Sequence, residues 1–282
     1  MYDTILTHSG KAHRDEFLAI CVALAHFDSI KTVKRVSSIE DLSDPSTLIL
    51  DIGGGAFDHH QLSRNAKPEF AFGLLLRNLG LLAQFENQPW FSYSRIMDSK
   101  GPMAAAKSIG MDAVPPALSS PVEAALLAIF SRSNWLCGAQ SAWDDEDADP
   151  DPLFTTMREI GRELIAKAEE LAKNCIALDA DIQVFILDGL YVIQTECPNL
   201  DGLDVVLARR GIKPAIRVTC DMRGEGWALY RYNDNPRIDF SQLANHADVG
   251  FAHNGGFYAT TTSKLEINGL QSLLKAAIIP AG

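Results

Sequence analysis

Two short apolar runs, Thr4-Ile5-Leu6 and Leu48-Ile49-Leu50, each stop at a dense polar cluster. The first opens into Thr7-His8-Ser9-Gly10-Lys11-Ala12-His13-Arg14-Asp15-Glu16, the second into Asp51-Ile52-Gly53-Gly54-Gly55-Ala56-Phe57-Asp58-His59-His60. Short apolar runs bounded in this way read as buried strands. Between them, Phe17, Leu18, Cys21, Val22, Leu24 and Ala25 keep helical spacing, and Thr32-Val33-Lys34-Arg35-Val36 reads as another strand. This βαβ rhythm implies a parallel sheet, because parallel neighbours need a crossover. In open sheets of that kind, ligands gather beyond the carboxyl ends of the strands. Both clusters sit there, so the topology can bring them to one point. Four of the seven histidines and four carboxylates, Asp15, Glu16, Asp51 and Asp58, fall in these two segments.

Downstream, the pattern predicts helices over 68–83, around Trp90 to Asp98, and over 121–136 after a Pro115-Pro116 break. Residues 144–152 are acidic and proline-punctuated, which reads as a solvated linker. A long helix follows over 153–177, its stripe formed by Leu153, Met157, Ile160, Leu164, Ile165, Ala168, Leu171 and Cys175. The pattern then turns to β. Strands at 184–187 and 191–193 flank Asp188-Gly189, a dipeptide preferred in type I′ hairpin turns. Further strands are expected near 203–208, 214–220, 226–232 and 256–262, with a closing helix over 266–279. The expected architecture is therefore α/β: a parallel-sheet metal domain over 1–145, an acidic linker and connecting helix over 146–180, and a smaller mixed α+β substrate domain over 181–282. The active site is expected in the cleft between the domains.

Composition narrows the function classes. A length of 282 residues favours two domains, and 47% apolar content is that of a globular chain. A formal charge of −11 argues against an extensive grip on duplex nucleic acid, which needs a basic face. It leaves room for a metal-charged pocket that takes a short phosphate-bearing substrate. The five cysteines, at 21, 137, 175, 197 and 220, show no C-x-x-C spacing, which argues against a disulfide framework or a cysteine zinc knuckle. With no signal-peptide pattern and no apolar stretch near membrane-spanning length, a cytoplasmic protein without a membrane partner is expected. A homodimer is compatible with the sequence.

A site of neutral imidazoles and carboxylates without cysteine suits a borderline-hard ion. Mn²⁺ is preferred, and Mg²⁺, Zn²⁺ and Co²⁺ are less favoured. The candidate ligands outnumber what one ion needs, so two ions are expected. Two metals a few ångströms apart can share a carboxylate, hold a hydroxide nucleophile and stabilise a phosphoryl group during in-line displacement. Gly53-Gly54-Gly55, with no Cβ in the way, would let backbone approach that phosphate.

The pattern resembles the DHH phosphoesterase superfamily, and the Thr-His-x-Gly-x-x-His-x-Asp-Glu and Asp-His-His-Gln versions look like its melanocyte proliferating gene branch. By that resemblance the first motif supplies His8, His13 (where the superfamily has aspartate) and Asp15. The second supplies Asp51 as the bridging carboxylate. The third is Asp58-His59-His60, and the fourth is Asp98 in Arg95-Ile-Met-Asp98-Ser-Lys-Gly. The resemblance implies one ion on His8, His13 and Asp51, and a second on Asp15, Asp51, His59 and Asp98. Asp58 would orient His59, as metal-bound histidines generally require. His60 would contact the substrate phosphate or protonate a leaving oxygen, and Glu16 would act as a helix N-terminal charge.

Superfamily members carry a smaller C-terminal domain with a glycine-rich motif, which Phe251-Ala-His253-Asn254-Gly255-Gly256-Phe257 resembles. His253, Asn254, Gly255 and Gly256 could make an anion-binding nest, or simply a turn between strands. Arg209 and Arg210 are candidate phosphate contacts, or an exposed basic pair. The resulting expectation is a dimetal-dependent phosphodiester hydrolase acting, like an exonuclease, on short RNA or other oligonucleotides. The alternatives are a phosphohydrolase of pyrophosphate or a nucleoside bisphosphate, and a non-catalytic, metal-stabilised interaction protein.

Overall fold

Strand β1 (Thr4–His8) lies inside a four-stranded sheet of order β3-β1-β2-β4. The computed structural model describes residues 1–39, 44–63, 65–113, 120–138 and 150–280. The chain leaves β1 for helix α1 (Arg14–His26), returns as β2 (Thr32–Val36), and reaches β3 (Thr47–Ile49). Both β2 and β3 pair with β1 in parallel, with Thr4 opposite Thr32 on one side and Thr47 on the other. The predicted βαβ unit is present. Helix α1 is buried on most of its circumference, with Phe17 and every residue from Ala19 to Leu24 inside. A helix apolar all round belongs in a core.

Helices α2 (Ala71–Asn78), α3 (Leu82–Phe85), α4 (Pro89–Lys100), α5 (Pro102–Ser108) and α6 (Pro121–Arg132) follow, and then β4 (Trp135–Cys137). The helix expected over 68–83 is broken at Gly80, whose φ of 71° is left-handed. The helix expected to run to 136 stops at Arg132, and β4 pairs antiparallel with β2. This corrects the all-parallel expectation: the first sheet is mixed, with an antiparallel edge. Residues 115–116 and 144–149, including the predicted break and most of the acidic linker, lie outside the described residues.

Helix α7 (Pro152–Asp181) is longer than predicted at both ends. Strands β5 (Gln183–Leu187) and β6 (Leu190–Thr195) form the expected hairpin, with positive φ at Asp188 and Gly189 as a type I′ turn demands. The segment expected as a strand near 203–208 is instead helix α8 (Leu203–Arg210). Left-handed Gly202 and Gly211 bracket it, and Leu203, Val206 and Leu207 bury one helical face, so spacing overrides the β-branched pair Val205-Val206. Strands β7 (Pro214–Cys220), β8 (Trp227–Arg231), β9 (Val249–Ala252) and β10 (Tyr258–Thr261) and helix α9 (Ile267–Ala276) complete the chain. The second sheet has the order β5-β6-β7-β8-β10-β9, parallel only between β6 and β7.

The protein is thus a mixed α/β chain with two sheets. It divides into two units, Met1–Glu170 and Leu171–Gly282, with separate apolar cores. In the first, Phe154, Met157 and Ala168 of α7 join α1 and the strands; in the second, Cys175 and Leu178 of α7 pack with Ile193, Leu203 and Val206. All five cysteines are free. Among the described residues, no helix is long and apolar enough to cross a membrane.

Candidate metal centre

The parallel register delivers the polar clusters to one edge. His8 ends β1, His13 is the N-cap of α1, and Asp15 lies in its first turn. The pairing of β3 with β1 continues through Leu50 N–H, which donates to Leu6 O, and places Asp51 beside His8. Asp51 has φ 58°, a left-handed conformation that a short carboxylate side chain tolerates better than most. Its amide donates to Phe57 O at 3.0 Å, so the intervening loop closes back on the strand end. Gly53 and Gly54 have φ values of 83° and 71°, which explains glycine at both positions. His59 and His60 follow the loop, and α4 brings Asp98.

These groups meet. His8 Nε2 is 3.5 Å from Asp51 Oδ2, and His59 Nε2 is 3.4 Å from Asp51 Oδ1 and 2.8 Å from Asp98 Oδ2. Three sets have donor atoms within 4.8 Å of one another: His8, His13 and Asp51; Asp51, His59 and His60; and His13, Asp15 and Asp98. The six residues expected as ligands all fall within these sets, and His60 joins them. Asp51 and His13 each belong to two of the sets.

The donor atoms fit a cation on their own evidence. Asp15 is 3% exposed and Asp51 2%, and among the described residues no carboxylate oxygen of either has a hydrogen-bond partner. Buried unpaired carboxylates cost several kcal/mol, at least as an order of magnitude, and are ordinarily paired or bound to metal. Burial, together with Asp51 and Asp98, pushes Asp15 well above the usual carboxylate range. The Asp51 carboxylate raises His8 to about 9, against the effect of its burial. Burial also opposes a charge on His59, but Asp51 and Asp98 outweigh it and raise that ring to about 10. In return, and again against burial, His59 and His8 hold Asp51 down at about 2. The cluster is a set of acids and imidazoles that offset one another's charge.

Two assignments change. Asp58 does not orient His59: its Oδ1 lies 2.7 Å from His60 Nδ1 and accepts His60 N–H, while Oδ2 accepts Gly54 N–H at 2.7 Å. The local i, i+2 geometry brings Asp58 to His60, and His59 faces Asp51 and Asp98 instead. Glu16 is more than a helix-terminal charge. It accepts His13 N–H at 2.9 Å, the N3 half of a capping box, and is wholly buried. It also accepts from Thr7 Oγ1 at 2.8 Å, and its Oε2 lies 3.2 Å from His8 Nε2.

Arg35, which the sequence reading passed over, approaches Glu16 at 3.3 Å and donates to the carbonyls of Gly10, Phe130 and Ser131. The only sequence signal was the His13-x-x-Glu16 spacing of a capping box; nothing local marks Arg35.

The C-terminal candidates belong to the second unit. His253, Asn254, Gly255 and Gly256 lie in the turn between β9 and β10. Gly255 N–H donates to His253 Nδ1 and Gly256 N–H to His253 O, so two of the loop amides are engaged by His253 itself. Arg210 is bound by Asp179 at 2.7 Å, and Arg209 shares the last turn of α8.

No family model matches the chain, and no curated protein matches it. Among solved structures it is similar to a pGpG-specific phosphodiesterase from Vibrio cholerae, at 12% identity, covering 98% of this chain and 99% of that one with a TM-score of 0.25. It is also similar to a structure described as a family II inorganic pyrophosphatase from Methanococcus jannaschii, at 12% identity, covering 96% of this chain and 79% of that one with a TM-score of 0.20.

Proposed function

We propose that this chain is a metal-dependent phosphohydrolase that cleaves a phosphodiester in a short oligonucleotide. The observation that carries the reading is the convergence of two buried carboxylates, Asp15 with no hydrogen-bond partner among the described residues and Asp51 shared by His8, His59 and His60, with His13 and Asp98 beside them. His8, His13 and Asp51 would hold one divalent ion, and Asp15, Asp51, His59 and Asp98 a second, with Mn²⁺ preferred for this oxygen and imidazole set. Bound ions of this kind supply charge neutralisation on a phosphoryl oxygen and an acidified water.

The chain's own residues do the rest. Asp58 accepts from His60 Nδ1, which fixes the ring and leaves Nε2 to face a substrate oxygen. The His60 side chain is 59% exposed, so it can reach a leaving group and donate a proton there. Ser9 O, 2.9 Å from His8 Nδ1, holds that ring from behind, as supporting acceptors do for metal-bound histidines, while Glu16, anchored by Thr7 and Arg35, faces the same Nε2 as Asp51. The motif resemblance to DHH phosphoesterases supports the same chemistry. It serves equally for a phosphoanhydride such as pyrophosphate or for a nucleoside bisphosphate.

Asp51→Asn is the decisive variant. Asn tolerates the left-handed backbone as Asp does, so the fold should remain while Mn²⁺-dependent hydrolysis falls by at least about a hundredfold, as expected when a group acting at the reacting centre is lost. Product chromatography on 5′-labelled short RNA, pyrophosphate and nucleoside bisphosphates checks this. Full turnover by the variant would refute the mechanism, and the substrate consumed fastest by the parent selects among the three.

A further inference from the structure

One arginine of the first unit is buried, and its contacts converge on the loop between His8 and His13. Arg35, in β2, pairs with Thr7 in the parallel register. Its side chain is 1% exposed and meets Glu16, which is wholly buried, at 3.3 Å. One guanidinium nitrogen donates to Phe130 O at 3.3 Å and Ser131 O at 3.1 Å, in the last turn of α6, and the guanidinium lies over the Phe130 ring. Those bonds satisfy carbonyls at a helix end, which is a structural role. Two observations go beyond it. The same nitrogen donates to Gly10 O at 3.1 Å, inside the loop. Glu16, on the far side of the pair, holds both ends of the loop: Oε1 accepts His13 N–H at 2.9 Å, while Oε2 accepts from Thr7 Oγ1 and lies 3.2 Å from His8 Nε2.

We propose that Arg35 is a positioning residue for the first ion: through Gly10 and Glu16 it fixes residues 9–13, and with them the placement of His8 against His13. Replacing a buried ion pair by apolar side chains often leaves stability unchanged or higher, so stability alone gives no reason to retain this one. Reach gives a reason. A guanidinium presents five donors in a fixed fork, and this one spans the loop, the end of α6 and Glu16 at once, which a compact ammonium does not. The two histidines of the first ion stand at the ends of the clamped loop, His8 facing Glu16 by its ring and His13 bound to it by its amide. The second ion depends on other elements. Asp51 closes on Phe57 O at the end of β3, and His59 meets Asp98 of α4. The inference rests on the two-ion reading and assigns a role within it.

The test is Mn²⁺ binding by the whole protein. Isothermal titration should find two ions per chain in the parent, and electron paramagnetic resonance should show the coupled signal of a pair. Arg35→Met should weaken one ion about tenfold to a hundredfold, the usual cost of removing a support behind metal ligands, leave the other at parent affinity and replace the coupled signal by that of an isolated ion. Arg35→Lys, which keeps a charge beside Glu16, should restore part of the loss. Should Arg35→Met fail to fold, the double variant Arg35→Met with Glu16→Gln carries the test, because it leaves no buried charge unpaired and should lose the same ion. Two ions at parent affinity in the variants, or an equal loss of both, would overturn the proposal. A parent that binds no Mn²⁺ removes the two-ion reading and this inference with it. If the variants lose one ion of two while no phosphate ester is ever cleaved, the positioning role stands and the hydrolase fails. If Asp51→Asn abolishes hydrolysis but the Arg35 variants keep both ions, the hydrolase stands and the positioning role fails.

Discussion

At the scale of single residues, the candidate metal centre is an electrostatic compromise that a proton or a cation can resolve. His8 and His59 are raised to about 9 and about 10 from an ordinary 6.5. A group whose folded value is raised gives stability that is complete below its unfolded value and lost as pH climbs through the folded one. Asp15, also raised, likewise loses stability as pH rises above the ordinary carboxylate range. Asp51, lowered to about 2, works in the opposite sense, and its contribution disappears only in strong acid. The metal-free protein should therefore melt at progressively lower temperature from neutral pH to pH about 10. Saturating Mn²⁺ should flatten the slope, because metal takes the place of the imidazole protons. Differential scanning calorimetry with chelator and with Mn²⁺ measures both, and parallel slopes would contradict the assignment. The histidines and aspartates were legible in the sequence because such residues are scarce and fell together at two strand ends. The Glu16–Arg35 pair was not, since it depends on a register that sets Arg35 opposite Thr7.

At the scale of elements, periodicity located most helices and strands, and backbone chemistry decided the exceptions. The βαβ unit, the stripe of α7 and the Asp188-Gly189 hairpin follow from local pattern alone. Helix α8 did not, because two valines suggested a strand while the glycines on either side set the helix ends. Strand β4 was missed for a different reason: three residues carry no usable period, and only its partner β2 defines it. The packing of α7 on α1 was equally invisible. A Cβ at Gly161 would stand 1.9 Å from the Cys21 carbonyl oxygen, so the two backbones touch there. Gly161→Ala should destabilise by about 1–3 kcal/mol, the usual cost of overpacking, despite alanine's better helix propensity. Urea titration checks the sign: a more stable variant would mean that the two helices separate freely.

At the scale of the molecule, each unit has its own core, and the candidate metal ligands all belong to the first. A ligand stabilises the part it binds. Mn²⁺ should therefore slow amide exchange in β1, α1 and residues 51–60, and leave β7, β8 and β10 nearly unchanged. Hydrogen exchange read by mass spectrometry tests this, and uniform protection across both units would place the ions elsewhere. The unit boundary falls inside α7, between Glu170 and Leu171, where one uninterrupted helix supplies Phe154 and Met157 to one core and Cys175 and Leu178 to the other. A cut displaced well to either side would strip one core of its helical residues, so a separable module ends near that point and carries its own half of the rod.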